Sequence, residues 1–170
     1  MPDALSPERA LPRRGPLDGV AAVPGVEVLG PLRRVSLHGD IAYYGDIALS
    51  RTPLRAIMSD ETAILWLGPD EWLVLAPDGD PVMHANGSVV DISHRQIALR
   101  VSGPRSAWLL NAACPLDLAA PPINFCSRTV FGKAQIVVWK RGENLFQLEV
   151  ARSFAAYVHG VLREAAVEFS

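Results

Sequence analysis

Cysteine, long apolar runs and charge of one sign are all scarce in this chain. Only two of its 170 residues are cysteines, Cys114 and Cys126, and no CxxC motif occurs. This excludes a disulfide framework and predicts free thiols. The apolar runs fall far short of the ~20 residues that span a bilayer. Prolines interrupt any signal-peptide core at Pro2, Pro7, Pro12 and Pro16. We therefore expect a cytoplasmic protein that does not enter a membrane.

The charged residues also argue against several classes of ligand. Lysine and arginine number 16 against 18 acidic residues, for a net charge of −2, so no broad basic surface for nucleic acid is expected. Neither GxGxxG nor a P-loop occurs, which leaves no recognisable nucleotide-binding loop. The histidines lack the paired spacing of a metal site: His38, His84, His94 and His159. The residues therefore predict no metal site and no cofactor site in this chain.

What the chain does contain is enough apolar material for a core, since 49% of its residues are hydrophobic. Residues 1–31 are rich in proline and glycine and show no strand or helix period, so we interpret them as an extended N-terminal arm. Residues 32–87 and 88–170 are interpreted as two α+β halves that form one compact unit.

Two hairpins are predicted from apolar runs around turn residues. Residues 63–67 and 72–76 flank Gly68-Pro69-Asp70-Glu71, where Pro69 suits the second turn position because its φ is already fixed. Residues 135–139 and 145–150 alternate apolar and polar side chains around a turn at 141–144. Between the hairpins, residues 89–92 and 97–101 predict two further strands.

Two helices are predicted after strand pairs. The first runs from Gly103-Pro104 to Cys114-Pro115, with Trp108 buried inside it. The second is capped by Ser153 and places His159 on its polar face. Its apolar face is formed by Phe154, Tyr157, Val158, Val161, Leu162 and Ala165. Gly160 within it suggests close packing. Helices that follow strand pairs indicate an α+β fold of mostly antiparallel sheets, with helices packed on one face.

The densest set of reactive side chains is Asp91, Ser93, His94 and Arg95. One interpretation is that Asp91 orients His94 for proton transfer. Against it, neighbouring strand residues alternate between faces, and adjacency in sequence does not supply hydrogen-bond reach. The favoured interpretation is a structural corner, in which Asp91 and Ser93 satisfy backbone donors at the strand-to-turn junction. Cys114 precedes a proline at a helix end, so it lacks the environment of a catalytic thiol.

Four stretches in the same order resemble one known family, the gamma subunits of heterotetrameric sarcosine oxidase. They cover roughly residues 30–168: LGPDEWL at 67–73, VDISHR at 90–95 with SGP at 102–104 and the helix to Leu118, SRTVFGKA at 127–134, and LEVARSFAAY at 148–157. The layout at residues 91–118 also resembles the folate-binding domain of the glycine-cleavage aminomethyltransferase. The resemblance implies a fold of that kind.

The resemblance also implies where the chemistry lies. Such a complex oxidises sarcosine with oxygen to glycine in one-carbon metabolism. The FAD, FMN, NAD and tetrahydrofolate sites are expected on partner subunits, and zinc on the small delta subunit. The gamma subunit is expected to carry no catalytic residue and to pack directly on the alpha subunit, with beta and delta in the same complex.

Two other functions remain open from the residues. One is a stand-alone folate- or pterin-binding protein, for which Asp91 or Glu149 is a candidate carboxylate against the pterin ring. The other is an independent hydrolase or transferase that uses Asp91 and His94.

Overall fold

The computed structural model describes residues 15–168, and residues 1–14 of the predicted arm lie outside that range. In chain order the strands are β1 (Val26–Val28), β2 (Leu32–His38), β3 (Tyr43–Tyr44), β4 (Ile47–Ala48), β5 (Ala56–Ser59), β6 (Thr62–Gly68), β7 (Glu71–Pro77), β8 (Ser88–Asp91), β9 (Gln96–Ser102), β10 (Cys126–Phe131), β11 (Ala134–Gly142) and β12 (Leu145–Ala151). The helices are α1 (Ser106–Asn111) and α2 (Ala155–Val167), and short 3₁₀ turns occupy Ser93–Arg95 and Arg152–Phe154.

The strands form two five-stranded sheets and one two-stranded ribbon. Sheet A has the order β1-β9-β12-β11-β10, and sheet B has the order β5-β6-β7-β2-β8. Every pairing in both sheets is antiparallel, which matches the predicted sheet type.

Both predicted hairpins are present, with tighter turns than expected. In the first, Gly68 pairs with Glu71, so the loop is Pro69-Asp70. In the second, Gly142 pairs with Leu145 and the loop is Glu143-Asn144. The strands extend further toward the turn than the apolar runs do, because backbone pairing continues into polar residues.

Three apolar clusters separate successive layers of the molecule. The first lies between α1, α2 and one face of sheet A, and includes Leu110, Leu148 and Leu162. The second lies between sheet B and the ribbon β3–β4, and includes Val35 and Tyr44. A smaller third cluster contains residues of both sheets, such as Leu65 and Trp139. The sheets therefore pack face to face, and the helices cover only sheet A. The predicted α+β class is confirmed.

The described part of the N-terminal arm, residues 15–31, contains a strand that its composition did not indicate. Of residues 1–31, the described part includes β1, whose Val26 pairs with Val101 of β9, while Leu17 and Val23 are buried. The sequence did not predict this strand, because β1 is only three residues long and forms by pairing with β9, which is distant in sequence. Residues 88–91 also pair with β2, so strand pairing groups them with the first half of the chain.

The C-terminal helix is rotated relative to the predicted face. It begins at Ala155, because a 3₁₀ turn occupies residues 152–154, and Ser153 makes no capping hydrogen bond. His159 is buried, whereas Phe154 is 43% exposed. The prediction for Trp108 was also wrong, because its side chain is 40% exposed. Gly160 is not closely packed, since a Cβ built there meets nothing within 4 Å.

Candidate functional site

The Asp91–Ser93 corner connects the end of β8 to the neighbouring strand β2. The backbone N–H and the hydroxyl of Ser93 donate to Asp91 Oδ1 at 2.9 and 2.6 Å, and the N–H of Arg34 donates to Ser93 Oγ at 2.9 Å. Arg33 forms an ion pair with the other carboxylate oxygen. Hydrogen bonds from Ser93, and then Arg33, hold the pKa of Asp91 below its usual range. These contacts support the predicted structural role of Asp91 and Ser93.

His94 and Arg95 take no part in that network. Both side chains are exposed in the 3₁₀ turn Ser93–Arg95, and neither forms a hydrogen bond or ion pair with any residue in 15–168. The structure therefore does not bring His94 into contact with Asp91.

A buried polar cluster lies between the two sheets, and sequence reasoning missed it. Arg34 on β2 donates from Nε to Glu149 Oε2 at 2.5 Å, and Gln147 donates from Nε2 to Glu149 Oε1 at 2.7 Å. Each of the three residues is 2% exposed. Burial raises the pKa of the Glu149 carboxyl, while Arg34 and Gln147 oppose that change. The cross-strand partner of Glu149 on β9 is Ala98.

Glu149 is one of the two candidate carboxylates for a pterin ring. Both of its oxygens now have donors within the chain, so a ligand at this carboxylate must compete with Arg34 or Gln147. The signal was present in β12, where Gln147 and Glu149 alternate with buried apolar residues. Alternation alone fits a solvated face equally well, because it does not reveal that a second sheet covers the polar side of the strand.

A second cross-sheet contact joins Glu71 on β7 to Arg128 on β10. Arg128 donates from both terminal nitrogens to the two oxygens of Glu71, at 2.8 Å for the Nη1–Oε2 pair. The bond from Arg128 lowers the pKa of Glu71, and the same contact raises the pKa of Arg128. The imidazole of His38 lies 3.8 Å from Glu71. These contacts join β7, an interior strand of sheet B, to β10, the edge strand of sheet A farthest from β1.

Three cavities border the layer between the sheets, with volumes of about 350, 340 and 320 Å³. Gln147 lines the first, Arg34 and Gln96 line the second, and Glu149 and Arg128 line the third. Within residues 15–168, no group of three or more His, Cys, Asp or Glu side chains is arranged to hold a metal ion. Burial raises the pKa of the Cys126 thiol to about 12, which disfavours a thiolate there.

The helical layer carries several large apolar side chains at the surface. Exposed fractions are 40% for Trp108, 43% for Phe154, 37% for Tyr157 and 70% for Val167. Exposed aromatic residues are typical of protein interfaces. No helix of the described residues is both long and apolar enough to cross a membrane.

Comparison with known proteins gives a consistent family assignment. The model of the "Sarcosine oxidase, gamma subunit family" matches residues 46–168. Two curated relatives carry the name sarcosine oxidase subunit gamma. The one from Corynebacterium sp. (strain P-1) is 30% identical and the one from Arthrobacter sp. is 29% identical, each over 162 residues that cover 89% of this chain and 76% of the relative.

Solved structures agree on the fold. A chain of the heterotetrameric sarcosine oxidase from Corynebacterium sp. U-96, in complex with pyrrole 2-carboxylate, matches with a TM-score of 0.77 and 24% identity, covering 93% of this chain and 96% of that one. The glycine cleavage system aminomethyltransferase T from Bartonella henselae matches with a TM-score of 0.56 and 13% identity, covering 81% of this chain and 45% of that one. The predicted likeness to the aminomethyltransferase fold is thereby confirmed.

Proposed function

The chain belongs to the sarcosine oxidase gamma subunit family, and from that premise we propose that it is a non-catalytic, structural subunit of a complex that oxidises sarcosine to glycine. The single observation that carries the proposal is the family match across residues 46–168, supported by relatives that share 29–30% of their residues with this chain.

The partner subunits hold the cofactors in this proposal. FAD, FMN, NAD and tetrahydrofolate bind to those subunits, and oxygen is the electron acceptor of the flavin-dependent reaction. This chain packs directly on the alpha subunit, and the beta and delta subunits complete the complex in the cytoplasm. In this proposal the chain contributes to the stability and shape of the complex. Two contacts connect its own sheets: the ion pair between Arg34 and Glu149, and the contact between Glu71 and Arg128.

The helical layer is the face that we assign to the partner. It carries Phe154, Tyr157 and Val167, each more than a third exposed. On the opposite side, the ribbon β3–β4 exposes Tyr43 at 59%. Several exposed apolar side chains on one layer favour an interface there.

Co-expression of the full chain with its partner subunits, followed by size exclusion, tests the proposal. We expect all four chains to elute together, and we expect Phe154→Asp to release this chain. Tyr43→Asp, on the opposite side of the molecule, is the matched control and should co-elute. The subunit role is refuted if this chain elutes alone while the partners assemble and turn over fully without it. The interface assignment alone fails if Phe154→Asp co-elutes normally.

The fold match to an aminomethyltransferase supports a second candidate, a stand-alone folate- or pterin-binding protein. Against it, the Glu149 carboxylate is already bonded to Arg34 and Gln147. Titration of the full chain with tetrahydrofolate separates the two: saturable binding by the isolated chain supports the second candidate, and its absence contradicts it.

A further inference from the structure

Arg141 on β11 is an exposed arginine in the wall of the cavity of about 350 Å³ between the sheets. The Cζ atom of its guanidinium lies 4.7 Å from the centre of the Trp139 ring, and Nη1 donates to Gln147 Oε1 at 3.1 Å. Trp139 and Gln147 line the same cavity. The charged end of Arg141 is therefore held at the cavity wall by two contacts.

These contacts use little of the donor capacity of the guanidinium. Arginine carries five N–H donors in a planar fork, and the hydrogen bond to Gln147 engages one of them, on Nη1. Stacking on the Trp139 ring engages a face of the guanidinium and leaves the N–H groups in its plane unused. Because Arg141 is exposed, a ligand can reach the donors that remain.

The charge of Arg141 is also unbalanced. No carboxylate within residues 15–168 forms an ion pair with it. Arg100, the other arginine of the cavity wall, is paired with Glu27 at 3.4 Å between Nη1 and Oε2. Arg100 is the cross-strand partner of Gln147, the residue to which Arg141 is bonded. Burial, and then the charge of Arg100, lower the pKa of Arg141. The cavity therefore presents one cation without a counter-ion, in the field of a second cation.

The rest of the wall narrows the class of ligand. A guanidinium without a counter-ion suits a carboxylate, because its planar fork matches the two oxygens. Exposed Glu61 also lines the cavity and would repel a second negative charge. Leu29, Pro31 and Met58 supply apolar wall, and Met58 is 46% exposed. The volume lies near the lower end of the range of about 300–1,000 Å³ for small-molecule sites.

From these observations we propose that this cavity binds small monocarboxylates with a compact apolar body. The carboxylate accepts hydrogen bonds from the unused donors of Arg141, and the apolar body lies against Leu29 and Met58. The site does not rest on the proposed subunit role. Its test is ligand binding, whereas that role is tested by co-elution, so either can fail alone.

Benzoate is the probe, titrated into the isotopically labelled full chain while backbone amide resonances are followed by NMR. We expect saturable shifts concentrated in residues 29–32, 58–63 and 139–147. Three comparison ligands should each bind at least about tenfold more weakly. Benzamide lacks the charge, acetate lacks the apolar body, and isophthalate adds a second carboxylate.

Two variants locate the site. Arg141→Gln removes the cation and should weaken benzoate binding by about tenfold or more. Glu61→Gln removes the repelling charge and should narrow the difference in affinity between isophthalate and benzoate. Arg95→Gln is the matched control, because Arg95 is an exposed arginine in the wall of a different cavity between the same sheets, and it should bind benzoate as the unaltered chain does. All three altered residues are exposed, so we expect the variants to fold, and their amide spectra check this.

Three results would overturn the proposal. The first is the absence of saturable shifts with benzoate. The second is unchanged benzoate binding by Arg141→Gln, or an equal loss in Arg95→Gln. The third is benzamide binding as tightly as benzoate, which would show that the charge of Arg141 plays no part.

Discussion

Arg34 on β2 donates from Nε to Oε2 of Glu149 on β12 at 2.5 Å, and so links sheet B to sheet A through a bond from which water is excluded. Removal of one partner of such a pair leaves an uncompensated buried charge, which costs more than loss of the pair itself.

We therefore expect Glu149→Leu to lower the free energy of unfolding by about 3–5 kcal/mol. The double variant Arg34→Met/Glu149→Leu should lose clearly less, because no charge stays behind. Urea unfolding of the unaltered chain, Arg34→Met, Glu149→Leu and the double variant measures the coupling energy between the two residues. If the two single effects simply add, the bond in the structure does not couple the residues.

The contact between Glu71 and Arg128 makes stability depend on pH. The folded-state pKa of Glu71 is lowered, chiefly by the bond from Arg128. Its contribution is therefore fully present above the ordinary glutamate pKa near 4.5 and is lost as the pH falls through the lower folded value.

At neutral pH, Glu71→Gln should cost about 1 kcal/mol, since the pair is only partly buried. The difference in the free energy of unfolding between Glu71→Gln and the unaltered chain should narrow as the solution is acidified. Thermal unfolding across the acid range measures it, with Glu143→Gln in the exposed β11–β12 turn as the matched control. A gap that stays constant down to low pH would contradict the assigned pKa direction.

The two glycines Gly160 and Gly132 should respond oppositely to alanine. A Cβ at Gly160 meets nothing within 4 Å, so Gly160→Ala should stabilise α2 by up to ~1 kcal/mol. Gly132 has φ +58° and its Cβ would collide with the hydroxyl of Tyr157, so Gly132→Ala should destabilise. Thermal melts of both variants decide the matter. A destabilised Gly160→Ala would indicate that the helix packs more closely than described.

Asp91→Ala and His94→Ala should leave the turnover of the assembled complex unchanged. Asp91 is engaged with Ser93 and Arg33, and His94 contacts neither. Asp91→Ala should reduce stability alone, because Ser93 loses the acceptor of its hydroxyl and N–H. Steady-state oxidation of sarcosine by each assembled variant is the measurement. A loss of about 100-fold or more, of the size that a proton-transfer residue gives, would restore a catalytic role.

The parts of the fold that local pattern determines were predictable. The hairpins around Pro69 and Glu143 follow from alternation and turn chemistry, which act over a few residues. The C-terminal helix was predicted too, but its buried face was not. Tyr157 and Phe154 look like core residues by spacing, but both are exposed, whereas His159 is buried.

The polar contacts between the sheets could not be predicted from the sequence, for a different reason. Gln147 and Glu149 occupy the polar side of an alternating strand, and the same pattern fits a solvated face. Only the packing of Arg34 from a distant strand turns that face into an interior. The hydrogen bonds between Ser93 and Asp91, by contrast, could be expected from the sequence, because Asp and Ser side chains bond to backbone groups nearby in the chain.

The split of the chain between its two sheets has a consequence for synthesis. All strands of sheet B lie within residues 32–91, so that sheet is complete in sequence before most of sheet A has been made. Sheet A cannot be completed until β12 has been synthesised, and β1 has no strand to pair with until β9 has been synthesised. The first strand of the described residues thus depends on a pairing partner translated much later. Until sheet A forms, the face of sheet B that will pack on it, which carries apolar residues such as Leu65 as well as Arg34, stays in contact with water.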